Sequence, residues 1–129
     1  MAAVVDFNGA VDLESLISER KQVSKGFSDF PRRFGSEREI SRGHAVSVRL
    51  DVRQARLPPF LLMHGTADQA VPYQQSVNFC AQLKSAGDRC ELYTIQDGIH
   101  GVIHWEENPA EHAYKAFVVN WLRTTLKFH

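Results

Sequence analysis

Pro59-Phe-Leu-Leu-Met-His-Gly-Thr-Ala-Asp-Gln-Ala-Val-Pro72 is the stretch that decides the fold. It opens on an unbroken apolar run, and Gly65 stops that run directly after His64. A short continuous apolar run between turn-forming residues reads as a strand buried on both faces, the kind found in parallel sheets. The strand is expected over 59–64. Asp68 then stands on the loop just past it. In open parallel sheets ligands collect beyond the carboxyl ends of the strands, so Asp68 sits where chemistry is done.

Working outward, residues 73–86 read as a helix, with Val77, Cys80 and Leu83 on one side and Gly87 as its stop. Residues 91–95, Glu-Leu-Tyr-Thr-Ile, form the next strand and end at Gln96-Asp97-Gly98. His100 follows on that loop, between Gly98 and Gly101, and the flanking glycines allow tight or positive-φ turns. Residues 2–7, Ala-Ala-Val-Val-Asp-Phe, are a third strand, broken by Asn8-Gly9. Asn108-Pro109-Ala110-Glu111 offers a cap, a first-turn proline and a carboxylate, and opens an amphipathic helix over 109–126. Residues 14–56 carry only a weak pattern and read as an irregular or helical connection. The expectation is one partial α/β domain over residues 1–129: three parallel strands flanked by helices, in the spatial order 2–7, 59–64, 91–95.

An acid and an imidazole on neighbouring loops can meet, the carboxylate holding the ring's tautomer and stabilising an imidazolium. The block from Leu57 to Gly101 resembles the end of an α/β-hydrolase of the esterase/lipase and prolyl oligopeptidase-like group. Members of that group read Pro-Pro-x-Leu-x-x-His-Gly-x-x-Asp-x-x-Val-Pro, then a helix, a strand and Gly-x-Gly-His-Gly. By that resemblance Asp68 matches the triad acid and His100 the triad histidine, in the family's chain order. Ile99 departs from the small residue usual there. Val4-Val5-Asp6-Phe7 and Val11-Asp12-Leu13 resemble the strand and turn after the nucleophile helix. No Gly-x-Ser-x-Gly or Gly-x-Cys-x-Gly occurs; the nearest string, Gly26-Phe27-Ser28-Asp29-Phe30, lacks the second glycine. The resemblance therefore implies the C-terminal half of a serine hydrolase acting on a small-molecule carboxylic ester, without its nucleophile elbow and without a cofactor. A prolyl oligopeptidase-like peptidase fragment and a non-catalytic interaction module are the alternatives.

Other residues have plainer readings. Asp97 is the rival carboxylate, but Asp-Gly is ordinarily a turn. His64, at a strand end, reads as structural or as support for the site. His100 and His104 are four apart, but Gly101, Val102 and Ile103 argue against a helix that would align them on a metal, so no metal site is expected. Tyr73, Trp105 and Phe7 could line an acyl pocket, and apolar packing is the preferred reading for each. Cys80 and Cys90 fall side by side if the helix turns back into the strand at Gly87, within reach of a disulfide. The pair is read in preference as two reduced, buried thiols; a bridge would imply an exported parent protein.

Lys plus Arg and Asp plus Glu are 15 each in 129 residues. That balance leaves no electrostatic footprint for nucleic acid or an acidic membrane. No apolar run approaches the roughly 20 residues of a membrane-spanning helix. A compact chain of this length buries roughly two-thirds of its unfolded surface, so a core is affordable. The first strand, lacking its upstream neighbour, is expected to expose an edge open to self-association.

Overall fold

Three parallel strands run side by side in the order β1-β2-β3, as the apolar runs predict. They are β1 (Val4–Phe7), β2 (Phe60–Gly65) and β3 (Cys90–Ile95). The helices are α1 (Gln74–Ser85), α2 (Val102–Glu106) and α3 (Ala113–Leu126). The structure is a computed structural model that describes residues 2–12, 56–107 and 112–127. The connection over 14–56 lies outside the described residues apart from Arg56, as does the cap expected at Asn108-Pro109.

The register shows why β2 is apolar throughout. Val4, Phe60 and Cys90 are aligned, as are Asp6, Leu62 and Leu92. Side chains alternate between faces along a strand. Val4, Phe60, Leu62, Cys90 and Leu92 pack with Phe79, Cys80 and Leu83 of α1. Val5, Leu61, Met63, Tyr93 and Ile95 pack on the other face with Trp105, Tyr114 and Trp121 from α2 and α3. Both faces of β2 are covered, so every residue of it is buried.

α1 ends as expected at Gly87, whose φ is +88°. Gly87 N–H donates to Lys84 O and Asp88 N–H to Leu83 O, the paired bonds of a Schellman stop. Its inward face carries Gln75, Ser76, Phe79, Cys80 and Leu83, with Val77 only half-buried. Gln75 also clasps the chain after β1: Asp12 N–H donates to its Oε1 at 2.8 Å and its Nε2 donates to Asp12 O at 2.9 Å.

Two expectations need correction. Val102 and Ile103 do enter a short helix, α2. Trp105 on it is fully buried and donates its indole N–H to Ile99 O at 2.9 Å, so tertiary packing overrides the β-branched preference. Among the described residues the last helix runs from Ala113 with His112 at its cap, and the start expected at 109 lies outside them. Cys80 and Cys90 are bonded rather than reduced, with Cα atoms 5.5 Å apart. The helix-turn-strand geometry juxtaposes them, and sequence alone does not carry the oxidation state. No helix among the described residues is long and apolar enough to cross a membrane.

Candidate active site

Two loops leave the carboxyl edge of the sheet, one from β2 and one from β3, and glycines press them together. A Cβ on Gly65 would stand 2.0 Å from the Gly98 carbonyl oxygen, so no other residue fits there without moving backbone. Thr66 N–H donates to Ile95 O and Ala67 N–H to Gly98 O, both at 3.0 Å. Asp97 takes the left-handed conformation at φ +57°, and Gly101 has φ +102°. Of the glycines flanking His100, Gly101 supplies a positive φ and Gly98 supplies close approach.

This contact brings Asp68 to His100. His100 Nδ1 lies 2.8 Å from Asp68 Oδ2. An ionised carboxylate only accepts, so Nδ1 donates and the neutral ring keeps its lone pair on Nε2. The Asp68 side chain is fully buried, whereas that of His100 is 45% exposed. The acid is therefore sheltered and the imidazole faces outward, the arrangement a general base needs. Asp97 does not compete. Its carboxylate takes Gln96 Nε2 at 3.2 Å, and its N–H donates to Thr66 Oγ1 at 2.8 Å.

Asp68 is held at both of its carboxylate oxygens. Oδ1 accepts the Ala70 and Val71 N–H groups, each at 2.8 Å. Oδ2 accepts His100 and also lies 3.2 Å from His64 Nε2. Burial alone would raise its pKa; the hydrogen bonds from His64, the Val71 N–H and His100, with the charge of His100, outweigh burial and hold it below the ordinary carboxylate value.

His64, read from sequence as structural or supporting, is fully buried beneath this carboxylate. Its Nε2 also reaches Val71 O at 2.8 Å, and its Nδ1 lies 2.7 Å from Ser76 Oγ on α1. Tyr73 stands edge-on to the ring at 5.9 Å and bonds Thr94 Oγ1. Sequence reasoning missed Ser76. Its only signal was a hydroxyl on the inward face of an otherwise amphipathic helix.

Of the aromatic residues weighed for an acyl pocket, Phe7 and Trp105 pack together with Tyr114, apart from Tyr73. Phe7 meets Trp105 at 6.5 Å and Tyr114 at 6.3 Å, and Trp105 meets Tyr114 at 5.5 Å. Tyr114 also donates its hydroxyl to Glu106, and burial together with that carboxylate pushes the phenol up to about 12. His104 turns toward Glu107, 4.0 Å away, rather than toward a site shared with His100. Among the described residues no group of three or more His, Cys, Asp and Glu is placed to hold a metal.

A parallel sheet covered on both faces, with an acid and a histidine meeting past its carboxyl edge, defines an α/β-hydrolase. The chain belongs to the prolyl oligopeptidase family, which matches residues 2–128. Similar solved structures include a thermophilic esterase from the Planctomycetes species Thermogutta terrifontis with propionate bound. It is 29% identical, covers 93% of this chain and 41% of that one, and has a TM-score of 0.63. The butyrate-bound form is 30% identical over 93% of this chain and 42% of that one, with a TM-score of 0.64. The uncomplexed acylaminoacyl peptidase of Pyrococcus horikoshii is 20% identical over 98% of this chain and 20% of that one, with a TM-score of 0.77; that likeness shows the fold alone. The chain thus spans about two-fifths of the esterase and one-fifth of the peptidase. No curated protein sequence matches it. The family and the esterase likeness place the chain among the serine hydrolases.

Proposed function

We propose that this chain supplies the acid and histidine of a hydrolase that cleaves carboxylic esters of short acyl groups, with the serine nucleophile outside residues 1–129. The observation that carries this is the 2.8 Å bond from His100 Nδ1 to the buried Asp68 carboxylate, with the ring half-exposed. In the reaction, a serine oxygen attacks the ester carbonyl while His100 Nε2 takes its proton. Asp68 keeps the Nδ1 proton and stabilises the imidazolium. His100 then gives the proton to the departing alcohol, and water repeats the sequence on the acyl-enzyme. The esterase solved with propionate and with butyrate favours a short acyl group. The family's name favours a second reading, cleavage of a peptide bond by the same residues.

The test begins with the coding DNA upstream of Met1. An in-frame Gly-x-Ser-x-Gly is expected there. The longer product is assayed on propionyl and butyryl esters and on N-acylated peptides. Ester turnover is expected to exceed peptide turnover, and His100→Ala or Asp68→Asn is expected to lower kcat by about ten-thousandfold. The 129-residue chain alone is expected to show none above background, because its sequence has no Gly-x-Ser-x-Gly. Turnover by the purified short chain that disappears on His100→Ala would mean that another residue attacks, and the reading of the missing serine would fall.

A further inference from the structure

Beneath the acid lies a second imidazole that the triad logic does not use. His64 is wholly buried at the end of the central strand, yet both its ring nitrogens are engaged. A carbonyl and a carboxylate flank Nε2, Val71 O at 2.8 Å and Asp68 Oδ2 at 3.2 Å. Both can only accept, so Nε2 carries a hydrogen, which it gives to Val71 O with the Asp68 carboxylate close beside it. In the neutral ring Nδ1 is then bare, and its neighbour at 2.7 Å, Ser76 Oγ, has a hydroxyl hydrogen to give. We propose that Ser76 fixes His64 as the neutral Nε2–H imidazole, and that His64 thereby acts as a positioning residue holding the Asp68 carboxylate against His100.

The reason for such a device is the depth of Asp68. A carboxylate with a fully buried side chain favours its neutral form unless donors surround it. Oδ1 takes its two from the loop's own backbone. Oδ2 has His100 and His64 alone. His100 must move through charged and neutral forms during catalysis, which leaves His64 as the steady partner of Oδ2. The other groups facing the His64 ring are Tyr73, edge-on from the start of α1, and Asp6 of β1, whose charge interacts with it. Neither offers Oδ2 a donor. Ser76 lies one turn from Cys80 on the same inward face of α1, and the Cys80–Cys90 bridge ties that helix to β3. The hydroxyl is thereby held at a fixed height against the ring.

The inference rests on Asp68 and His100 being the acid and histidine of the site, but its test needs no turnover. The chain, labelled with 15N and 13C, is studied by NMR. In the wild type, the His64 signals are expected to show a bare Nδ1 and a protonated Nε2 near neutral pH. The Asp68 side-chain carbon is expected to titrate below the ordinary carboxylate value, to move up toward it in Ser76→Ala, and to return in Ser76→Thr, which keeps the hydroxyl. An Asp68 titration identical in wild type and folded Ser76→Ala would overturn the inference. So would a wild-type His64 carrying its proton on Nδ1, a result that decides the matter even if Ser76→Ala does not fold. In the longer product, Ser76→Ala is expected to lower kcat with KM unchanged, and Ser76→Thr to restore it. If the ring state is as stated while His100→Ala leaves hydrolysis intact, the proposed function fails and the Ser76–His64–Asp68 arrangement stands.

Discussion

At the scale of single residues, the site depends on two glycines and on two aspartates whose environments push in opposite directions. Gly65→Ala drives a methyl into the Gly98 carbonyl, a backbone atom that cannot rotate aside. The expected loss is at least about 1–3 kcal/mol, the usual cost of overpacking, read by urea unfolding. Gly87 gives the contrast: a side chain there meets open space and only the positive φ resists it, so Gly87→Asn is expected to cost less than about 1 kcal/mol. Asp68, held below its unfolded value of about 3.9, sheds its proton more readily folded than unfolded. Stability from it is present above that value and is lost as pH falls through the lower folded value. Asp6 behaves in the opposite sense. Burial raises its pKa against the opposing pull of His64 and the Gly9 N–H, and its Oδ2 has no hydrogen-bond partner. Its ionisation costs the folded state as pH rises from about 3.9 through the folded value. Asp68→Asn is therefore expected to flatten the acid side of a stability–pH curve, and Asp6→Asn to raise its neutral side. Unfolding midpoints measured across the acid-to-neutral range check both. Asp68 and His100 were legible in the sequence because each follows a strand end by a few residues. The Ser76 contact was not, since it depends on how α1 is rotated against β2, which no local spacing states.

At the scale of elements, the strands were legible because apolar runs and register express one cause, a sheet covered on both faces. α2 was not, because its local propensity runs against the burial of Trp105, and burial prevails. Trp105 is fully buried and its indole N–H is engaged, so Trp105→Ala is expected to cost about 3–5 kcal/mol and to unseat the loop of Ile99 and His100. The Cys80–Cys90 bridge closes a segment with a sequence separation of 10. By loop entropy a closure of that size stabilises by roughly 3 kcal/mol. The double variant Cys80→Ala/Cys90→Ala is expected to unfold at correspondingly lower urea, and the native chain to show no alkylatable thiol until it is reduced. Such a bond persists in oxidising compartments, which lends support to the exported parent that a bridge would imply. A native chain that alkylates at both cysteines without reductant would remove that support.

At the scale of the whole molecule, what matters is the outer edge of the sheet at β1. Among the described residues β1 has a neighbour on one side only. Val4 N–H donates to Pro59 O and Asn8 N–H to Met63 O, so the alternation turns the N–H groups of Val5 and Phe7 away from β2. An edge with free donors and acceptors is a template for another strand, and nothing in Val4-Val5-Asp6-Phe7 blunts it with a lysine, a proline or a bulge. Under the proposed function, this is the side on which the nucleophile-bearing strand of the longer product would lie. In the isolated chain the nearest substitute is β1 of a second copy. Sedimentation velocity over a concentration series is expected to show the monomer giving way to larger species. Val5→Pro removes one outward N–H while leaving the bonds into β2 intact, and it is expected to shift that transition to higher concentration. The longer product, with the edge filled, is expected to stay monomeric at concentrations where the short chain associates. Equal association by both products would place the contact elsewhere on the surface and would detach it from the absent strand.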